Sequence, residues 1–222
     1  MLQGQPLDLD HGDPGTPGYL GMAHASCNRR AGARLGKDRL RARLRADRER
    51  RAMQIEACAL GVEVSEDRLH TSIGMASRRA GEQAVVVELL AYLDGTQAGV
   101  AEVLRYADEL SALAVVIDPR SQAATLIRPL EDAKVKRLTL PSTSDVVVAH
   151  GQFIDDLAAG RLRHVAHPRL TEAARAGEQR RLAGAQTWER RVAVDVSPLT
   201  AVTLALWGLA SAKAPPAPLV IL

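Results

Sequence analysis

Three acidic residues lie within or next to apolar segments of the sequence. Glu63 lies inside the apolar stretch GVEVS, Asp118 closes the stretch LAVVID, and Asp195 comes just before a long apolar helix. A carboxylate in an apolar strand needs a partner, because an unpaired charge away from water is strongly unfavourable. Mg²⁺ and Mn²⁺ are natural partners for carboxylate oxygens. The pattern therefore makes Glu63, Asp118 and Asp195 candidate ligands of a metal site.

Such a site points to phosphodiester hydrolysis. Two divalent ions about 4 Å apart can activate a water molecule and stabilise the leaving oxygen without any side-chain nucleophile. Each acid also has a purely structural explanation. Glu63 could point outward from an edge strand, Asp118 could begin a turn, and Asp195 could favour a helix N-terminus. The three residues alone leave both interpretations open.

The segments that carry these acids predict a mixed α/β domain. Five strands are expected, at 58–65, 68–76, 83–92, 113–118 and 137–141. Helices are expected at 97–112, 121–134 and 143–159, and from Ser197 and Pro198, as N-cap and first helical residue, to about residue 212. If the first and fourth strands are neighbours, Glu63 and Asp118 lie side by side. The stripe in the last helix predicts core packing by Leu199, Val202, Leu206, Trp207 and Leu209.

Positive charge is concentrated in one block of the chain. Residues 29–51 hold eleven Lys or Arg against three acids, within a net charge of only +3 for the whole chain. A block of this kind can neutralise DNA phosphates, or it can form a solvated basic helix. The content of aromatic residues is only 3%, which favours contacts to a duplex backbone over base stacking. The candidate DNA contacts are Arg39, Arg41, Arg43, Arg45, Arg190 and Arg191.

Arg190 and Arg191 have an alternative explanation, since they follow Trp188 and Glu189 directly. Arg190 could contact a phosphate beside the cleft or form a surface ion pair with Glu189 or another neighbour.

Several other classes of site and location are excluded or disfavoured. Cys27 and Cys58 form no C-x-x-C pair, so the chain alone builds neither a disulfide framework nor a zinc knuckle. His150, His164 and His167 lack ligands at zinc spacing and are expected to be core or exposed residues. No stretch resembles a membrane span or a signal peptide. We therefore expect a cytoplasmic protein of a bacterial host or prophage that does not contact a membrane.

The wording and order of five motifs resemble one family. GVEVSEDRLHTSI from Gly61, LAVVIDPRSQAATLIRPLEDA from Leu113, GQFIDDLAAGRLRH from Gly151, TWERR from Thr187 and DVSPLTAVTLALWGLA from Asp195 resemble the C-terminal nuclease domain of the large terminase subunit of phages that infect actinobacteria. The resemblance implies an RNase H-like mixed sheet flanked by helices over residues 57–212, followed by a Pro-rich tail at 213–222. It also implies that Glu63, Asp118 and Asp195 bind two Mg²⁺ or Mn²⁺ ions and cut double-stranded viral DNA during genome packaging. The phage portal and the small terminase subunit are the implied protein partners.

Two departures from this family are visible. The family generally has aspartate at the first acidic position, whereas Glu63 is one methylene longer, which puts the metal geometry and hence the activity in doubt. The G-x-x-x-x-G-K-[ST] loop of the terminase ATPase motor does not occur in this sequence.

A second, shorter resemblance lies at the N-terminus. Residues 7–32, LDLDHGDPGTPGYLGMAHASCNRRAG, resemble the second half of an HNH, or His-Me finger, endonuclease. That resemblance matches Asp10, His11 and Asn28 to its metal and general-base positions. It implies a partial HNH-like segment at 1–33, joined by a basic helix or linker at 34–56. A catalytically impaired DNA-binding module and a relic fusion of the two fragments are the alternatives to an active nuclease.

Overall fold

The computed structural model describes residues 7–10, 21–24 and 55–212 of a chain that divides into two units, Met1–Met53 and Gln54–Leu222. In the first unit, strand β1 (Leu7–Asp10) pairs antiparallel with β2 (Gly21–His24), and Asp10 lies opposite Gly21. The remaining positions predicted to act in this unit, His11, Asn28, Arg39, Arg41, Arg43 and Arg45, lie outside the described residues.

The second unit alternates strands and helices. Its strands are β3 (Ile55–Val64), β4 (His70–Arg79), β5 (Val85–Asp94), β6 (Val115–Ile117), β7 (Leu138–Thr139), β8 (Leu162–His164), β9 (Gln179–Leu182) and β10 (Ala185–Trp188). Its helices are α1 (Gly99–Glu109), α2 (Ile127–Asp132), α3 (Thr143–Ala158), α4 (Pro168–Ala176) and α5 (Ser197–Ser211), with a 3₁₀ turn at Gln122–Leu126.

Six of these strands form one mixed sheet in the order β7-β6-β3-β4-β5-β8. The strands β3, β4 and β5 are joined as antiparallel hairpins, whereas β6 runs parallel to β3, and β7 and β8 run parallel to β6 and β5. The first and fourth expected strands are neighbours, which is the condition under which Glu63 and Asp118 lie side by side. Because Val62 pairs with Ile117, the ends of β3 and β6 meet at the same edge of the sheet.

Helices cover both faces of the sheet. One face packs against α3, α4 and α5, and the other packs against α1, α2 and the 3₁₀ turn. Helix α5 is buried on every side from Ser197 to Leu209, which confirms that its apolar stripe is core. Gly61 lets this helix approach β3 closely, since a Cβ at Gly61 would lie 2.1 Å from the Ala201 carbonyl oxygen.

Two predicted elements need correction. The helix expected at 121–134 is instead a 3₁₀ turn followed by the short helix α2. Pro129 lacks an amide hydrogen and is tolerated because it lies in the first turn of α2, where amides have no partner within the helix. The expected N-cap Ser197 is the first residue of α5, and Val196 occupies the N-cap position.

The chain between α3 and α5 forms elements that sequence patterns did not predict. These elements are β8, α4 and the β9–β10 hairpin, in which Gln179 pairs with Trp188. Among the described residues, no helix has the length and apolar character needed to cross a membrane.

Candidate active site

Glu63 lies on β3 one residue before its end and is only 1% exposed. Strand alternation sends Val62 and Val64 to one face of the sheet and places Glu63 with Gly61 on the face covered by α5. The Glu63 Oε1 atom accepts a hydrogen bond from the Val64 amide at 3.0 Å, and burial raises the pKa of this carboxyl above its usual value.

Asp118 follows β6 directly and is 3% exposed. Its Oδ1 atom accepts hydrogen bonds of 3.0 Å from three nitrogens of Arg120, namely the amide, Nε and Nη2. Burial opposes the charge of Asp118, but hydrogen bonds from Arg190 and Arg120 outweigh it and hold the pKa of the carboxyl below its usual value.

Arg190 joins the two acids. Its Nη2 atom lies 2.9 Å from Asp118 Oδ2 and 3.0 Å from Glu63 Oε2, and its side chain is 18% exposed. The contact with Asp118 is a hydrogen bond, whereas Glu63 Oε2 has no hydrogen-bond donor within the described part of the chain. Of the two interpretations of Arg190, the structure shows an ion pair, but its partners are the two buried acids and not a surface neighbour.

Asp195 lies outside this cluster. Its Oδ1 atom accepts a hydrogen bond from the Ser197 amide at 2.8 Å, and its Oδ2 atom accepts from the Ser197 hydroxyl at 2.9 Å and the Tyr92 hydroxyl at 3.0 Å. Burial and the nearby Asp195 charge raise the pKa of Tyr92, which keeps its phenol protonated as a donor.

A chain of hydroxyl groups connects Asp195 to the strand beside Glu63. Ser197 Oγ lies 2.8 Å from Ser72 Oγ, and Ser72 is the cross-strand partner of Glu63. Because the hydroxyl proton of Ser197 is donated to Asp195, Ser72 donates to Ser197. The structure thus brings Glu63 and Asp118 together and keeps Asp195 on the same side of the sheet with its oxygens already hydrogen-bonded.

Sequence patterns did not reveal Tyr92, Ser72 and Ser197 as parts of this network. Serine and tyrosine hydroxyls are common in sheets. The register of β3, β4 and β5 places Ser72 and Tyr92, and the packing of α5 on the sheet adds Ser197. Arg120 carried a signal that could have been used, since an arginine two residues after a strand-terminal aspartate can fold back onto it.

An arginine-rich cavity of about 340 Å³ opens beside the two acids. It is lined by Glu66, Arg120, Ser121, Gln122, Arg180, Glu189, Arg190 and Arg191. The Nε atom of Arg191 lies 3.1 Å from Glu66 Oε1. Because the Arg191 side chain is largely exposed, its charge is nevertheless accessible to solvent. Four arginines against two glutamates give the lining of the cavity an excess of positive charge, which favours an anionic ligand such as a phosphate.

The donor set fits one divalent cation at Glu63 and Asp118. Two carboxylates from neighbouring strand ends share one cationic partner, and buried Glu63 Oε2 accepts no hydrogen bond from any residue that the structure describes. Oxygen ligands of this kind suit Mg²⁺ and Mn²⁺. In the described residues, no three side chains of His, Cys, Asp or Glu converge closely enough to form a metal-binding group, because Asp195 is directed to Ser197 and Tyr92.

Comparisons with known proteins identify the fold. No protein-family model matches the sequence, and no curated protein matches it. The large terminase nuclease from thermophilic phage G20c superposes with a TM-score of 0.54 at 15% identity, over 71% of this chain and 83% of that one. The same nuclease with bound magnesium gives a TM-score of 0.51 at 14% identity, over 67% and 79% of the two chains.

The HK97 bacteriophage large terminase is also similar, with a TM-score of 0.54 at 16% identity. The match covers 68% of this chain and only 39% of that longer chain. At such low identities the likeness shows the fold alone. The predicted fold class is confirmed: the second unit is a mixed α/β domain with the RNase H-like fold of phage large terminase nucleases.

Proposed function

We propose that residues 57–212 form a metal-dependent endonuclease domain that cuts double-stranded DNA, as expected of the nuclease part of a phage large terminase. This proposal depends chiefly on one observation: the buried carboxylates of Glu63 and Asp118, at the ends of adjacent parallel strands, both contact the Nη2 atom of Arg190. The fold shared with the G20c nuclease supports it, as does the magnesium bound to that protein.

Glu63 and Asp118 are the proposed ligands of the first ion, and Arg120 holds Asp118 in place through its three hydrogen bonds. Asp195 is the proposed third acid, and it would join a second ion by giving up hydrogen bonds to Ser197 and Tyr92. When bound, the metal supplies an activated water and charge stabilisation for the leaving oxygen of a phosphodiester.

The proposed substrate contacts are electrostatic. Arg191 and the other arginines of the cavity lie beside the acids, where they can bind the phosphate backbone next to the scissile bond. The basic residues 29–51, including Arg39, Arg41, Arg43 and Arg45, supply further charge for a duplex. Genome packaging as the setting implies the portal and small terminase subunit as partners.

A catalytically impaired DNA-binding module is the second candidate function. It is favoured by Arg190, which occupies the point between the two acids, and by Glu63, which is longer than the aspartate of the resembling family. In this alternative, the arginines bind DNA and the acids only balance their charge. The HNH-like positions Asp10, His11 and Asn28 remain a prediction compatible with both functions.

Cleavage of supercoiled plasmid by the full chain, with Mn²⁺, Mg²⁺ or EDTA, distinguishes the two functions. The Asp118→Asn and Asp195→Ala variants test the acids, and Glu63→Asp tests the length of the first ligand. Asp132→Asn is the matched control, since Asp132 is an exposed acid paired with Arg128 at 4.0 Å.

The nuclease proposal predicts metal-dependent cutting that Asp118→Asn and Asp195→Ala abolish and Asp132→Asn retains. Faster cutting by Glu63→Asp would show that the glutamate slows the reaction. If neither the natural protein nor Glu63→Asp cuts, and both bind duplex DNA with an affinity that falls steeply with salt, the DNA-binding function replaces the nuclease proposal.

A further inference from the structure

The position of Arg190 between the two candidate metal ligands has a functional consequence. We propose that Arg190 is an internal cation that holds Glu63 and Asp118 together in the metal-free protein and is displaced when a divalent ion binds. Metal binding and release of the Arg190 side chain are then one linked event. This inference rests on the proposed function, because it takes these acids to be metal ligands.

Arg190 contacts one carboxylate oxygen of each acid. Asp118 Oδ1 is bound by Arg120 and Glu63 Oε1 by the Val64 amide, whereas Arg190 Nη2 faces Asp118 Oδ2 and Glu63 Oε2. A single guanidinium nitrogen of Arg190 therefore lies between the second carboxylate oxygens of the two acids.

Arg190 satisfies this point incompletely. It donates a hydrogen bond to Asp118 Oδ2 at 2.9 Å, whereas its contact with Glu63 Oε2 at 3.0 Å is an ion pair, and Oε2 accepts no hydrogen bond from the described residues. A divalent cation carries twice the charge and can bind carboxylate oxygens from several directions at once. The ion can thus replace Arg190, while in its absence Arg190 reduces the repulsion between two buried carboxylates.

The chain around Arg190 allows the side chain to leave. Residues 189–196 form no helix or strand, and the segment is anchored at its start by Trp188, whose Nε1 donates to Thr203 Oγ1 in α5 at 2.9 Å. The cavity that Arg190 lines also contains Glu66 and Glu189 as alternative partners. In this cavity a displaced Arg190 is available to an anionic ligand, so the same side chain that closes the metal-free site can bind a phosphate once the ion is in place.

The test measures Mn²⁺ binding by electron paramagnetic resonance and calorimetry, in the absence of DNA. Arg190→Gln removes the competing charge, and Asp118→Asn identifies the part of the binding that belongs to this site. Arg79→Gln is the matched control, because Arg79 is also a mostly buried arginine in an ion pair: its side chain is 11% exposed and pairs with Glu88. Arg79 lies at one end of β4, whereas Ser72, the cross-strand partner of Glu63, lies near the other end.

We expect Arg190→Gln to bind Mn²⁺ about tenfold more tightly than the natural protein. This factor corresponds to a natural protein in which Arg190 leaves the two acids free for metal about a tenth of the time, because the apparent affinity falls by that fraction. Arg79→Gln should bind Mn²⁺ as the natural protein does. In EDTA, Arg190→Gln should also melt at a lower temperature and recover more stability on addition of Mn²⁺, because its two acids lack their counter-ion.

A measurement on the natural protein covers the case in which Arg190→Gln does not fold. The side-chain Nε resonance of Arg190, followed by NMR during addition of diamagnetic Mg²⁺, should move toward that of an exposed arginine, while the Arg79 resonance stays in place. Metal binding that leaves the Arg190 resonance unchanged, or that Arg190→Gln fails to strengthen, overturns this inference alone. Absence of metal binding at Asp118 in every variant overturns both this inference and the proposed nuclease.

Discussion

Replacing Gly61 with alanine should destabilise the domain by forcing α5 away from the sheet. The added Cβ would lie 2.1 Å from the Ala201 carbonyl oxygen and 2.7 Å from the Ala205 amide nitrogen, both backbone atoms of α5. Flexible side chains could rotate away, but a helix backbone must move as a unit. The helix would have to retreat by about 1 Å in a core that is packed without spare room.

The expected cost lies at the upper end of the range for overpacked cores, about 3 kcal/mol. For a domain of this size, that corresponds to a melting temperature about 6–12 °C lower. Gly151→Ala is the matched control, because Gly151 lies in α3 with no neighbouring atom within 4 Å of the new Cβ. There the same change should raise stability by about 0.5–1 kcal/mol through helix propensity.

Urea denaturation and thermal melting, both followed by circular dichroism, measure these effects. Gly61→Ala should lower the urea midpoint with little change of slope, while Gly151→Ala should raise it slightly. A Gly61→Ala protein that melts within about 1 °C of the natural protein would refute the close packing of α5 on β3.

Three further predictions concern single side chains. Burial raises the pKa of the Cys58 thiol to about 11, so in Cys27→Ser protein a thiol reagent at pH 8 should label Cys58 only after urea is added; equal labelling in both conditions contradicts its burial. Burial lowers the pKa of His150 below its ordinary 6.5, so the unfolded chain takes up the proton first, and stability should fall as the pH drops below 6.5. His150→Phe should flatten this part of the urea stability–pH profile, and parallel profiles would show that His150 is not its source. Ser142 caps α3 in a capping box with Asp145, so Ser142→Ala should cost about 1 kcal/mol, and a melting temperature equal to that of the natural protein would argue against the cap.

The amino-acid sequence was sufficient to predict the strands and helices with strong apolar periodicity. The three strands β3 to β5, the helix α3 and the apolar helix α5 were recognisable because local patterns dictate them. The short strand ending at Asp118 was recognisable for the same reason, since a wholly apolar strand must be buried on both faces. The sequence therefore places Glu63 and Asp118 at strand ends, and the parallel pairing of β3 with β6 is what brings them side by side.

The segment between α3 and α5 was not predictable in this way. The hairpin of β9 and β10 is mostly exposed or half-buried, so its residues show no regular alternation of apolar and polar side chains. Its strands exist because they pair with each other, and Trp188 at its end is buried by contacts with α3 and α5. Neither the pairing of the two strands nor the burial of Trp188 by distant helices produces a recognisable local pattern in the sequence.

Residue types and spacing by themselves identified Glu63, Asp118 and Asp195 as candidate cation ligands and left a structural explanation of each open. Only the tertiary structure decided that this cation is Arg190, 72 residues from Asp118 along the chain, and that Asp195 is held by Tyr92 and Ser197. The physical reason is the range of the forces involved. Hydrophobic periodicity acts over a few residues and can be recognised in the sequence, whereas an ion pair depends on distances of about 3 Å between side chains that only the folded backbone brings together.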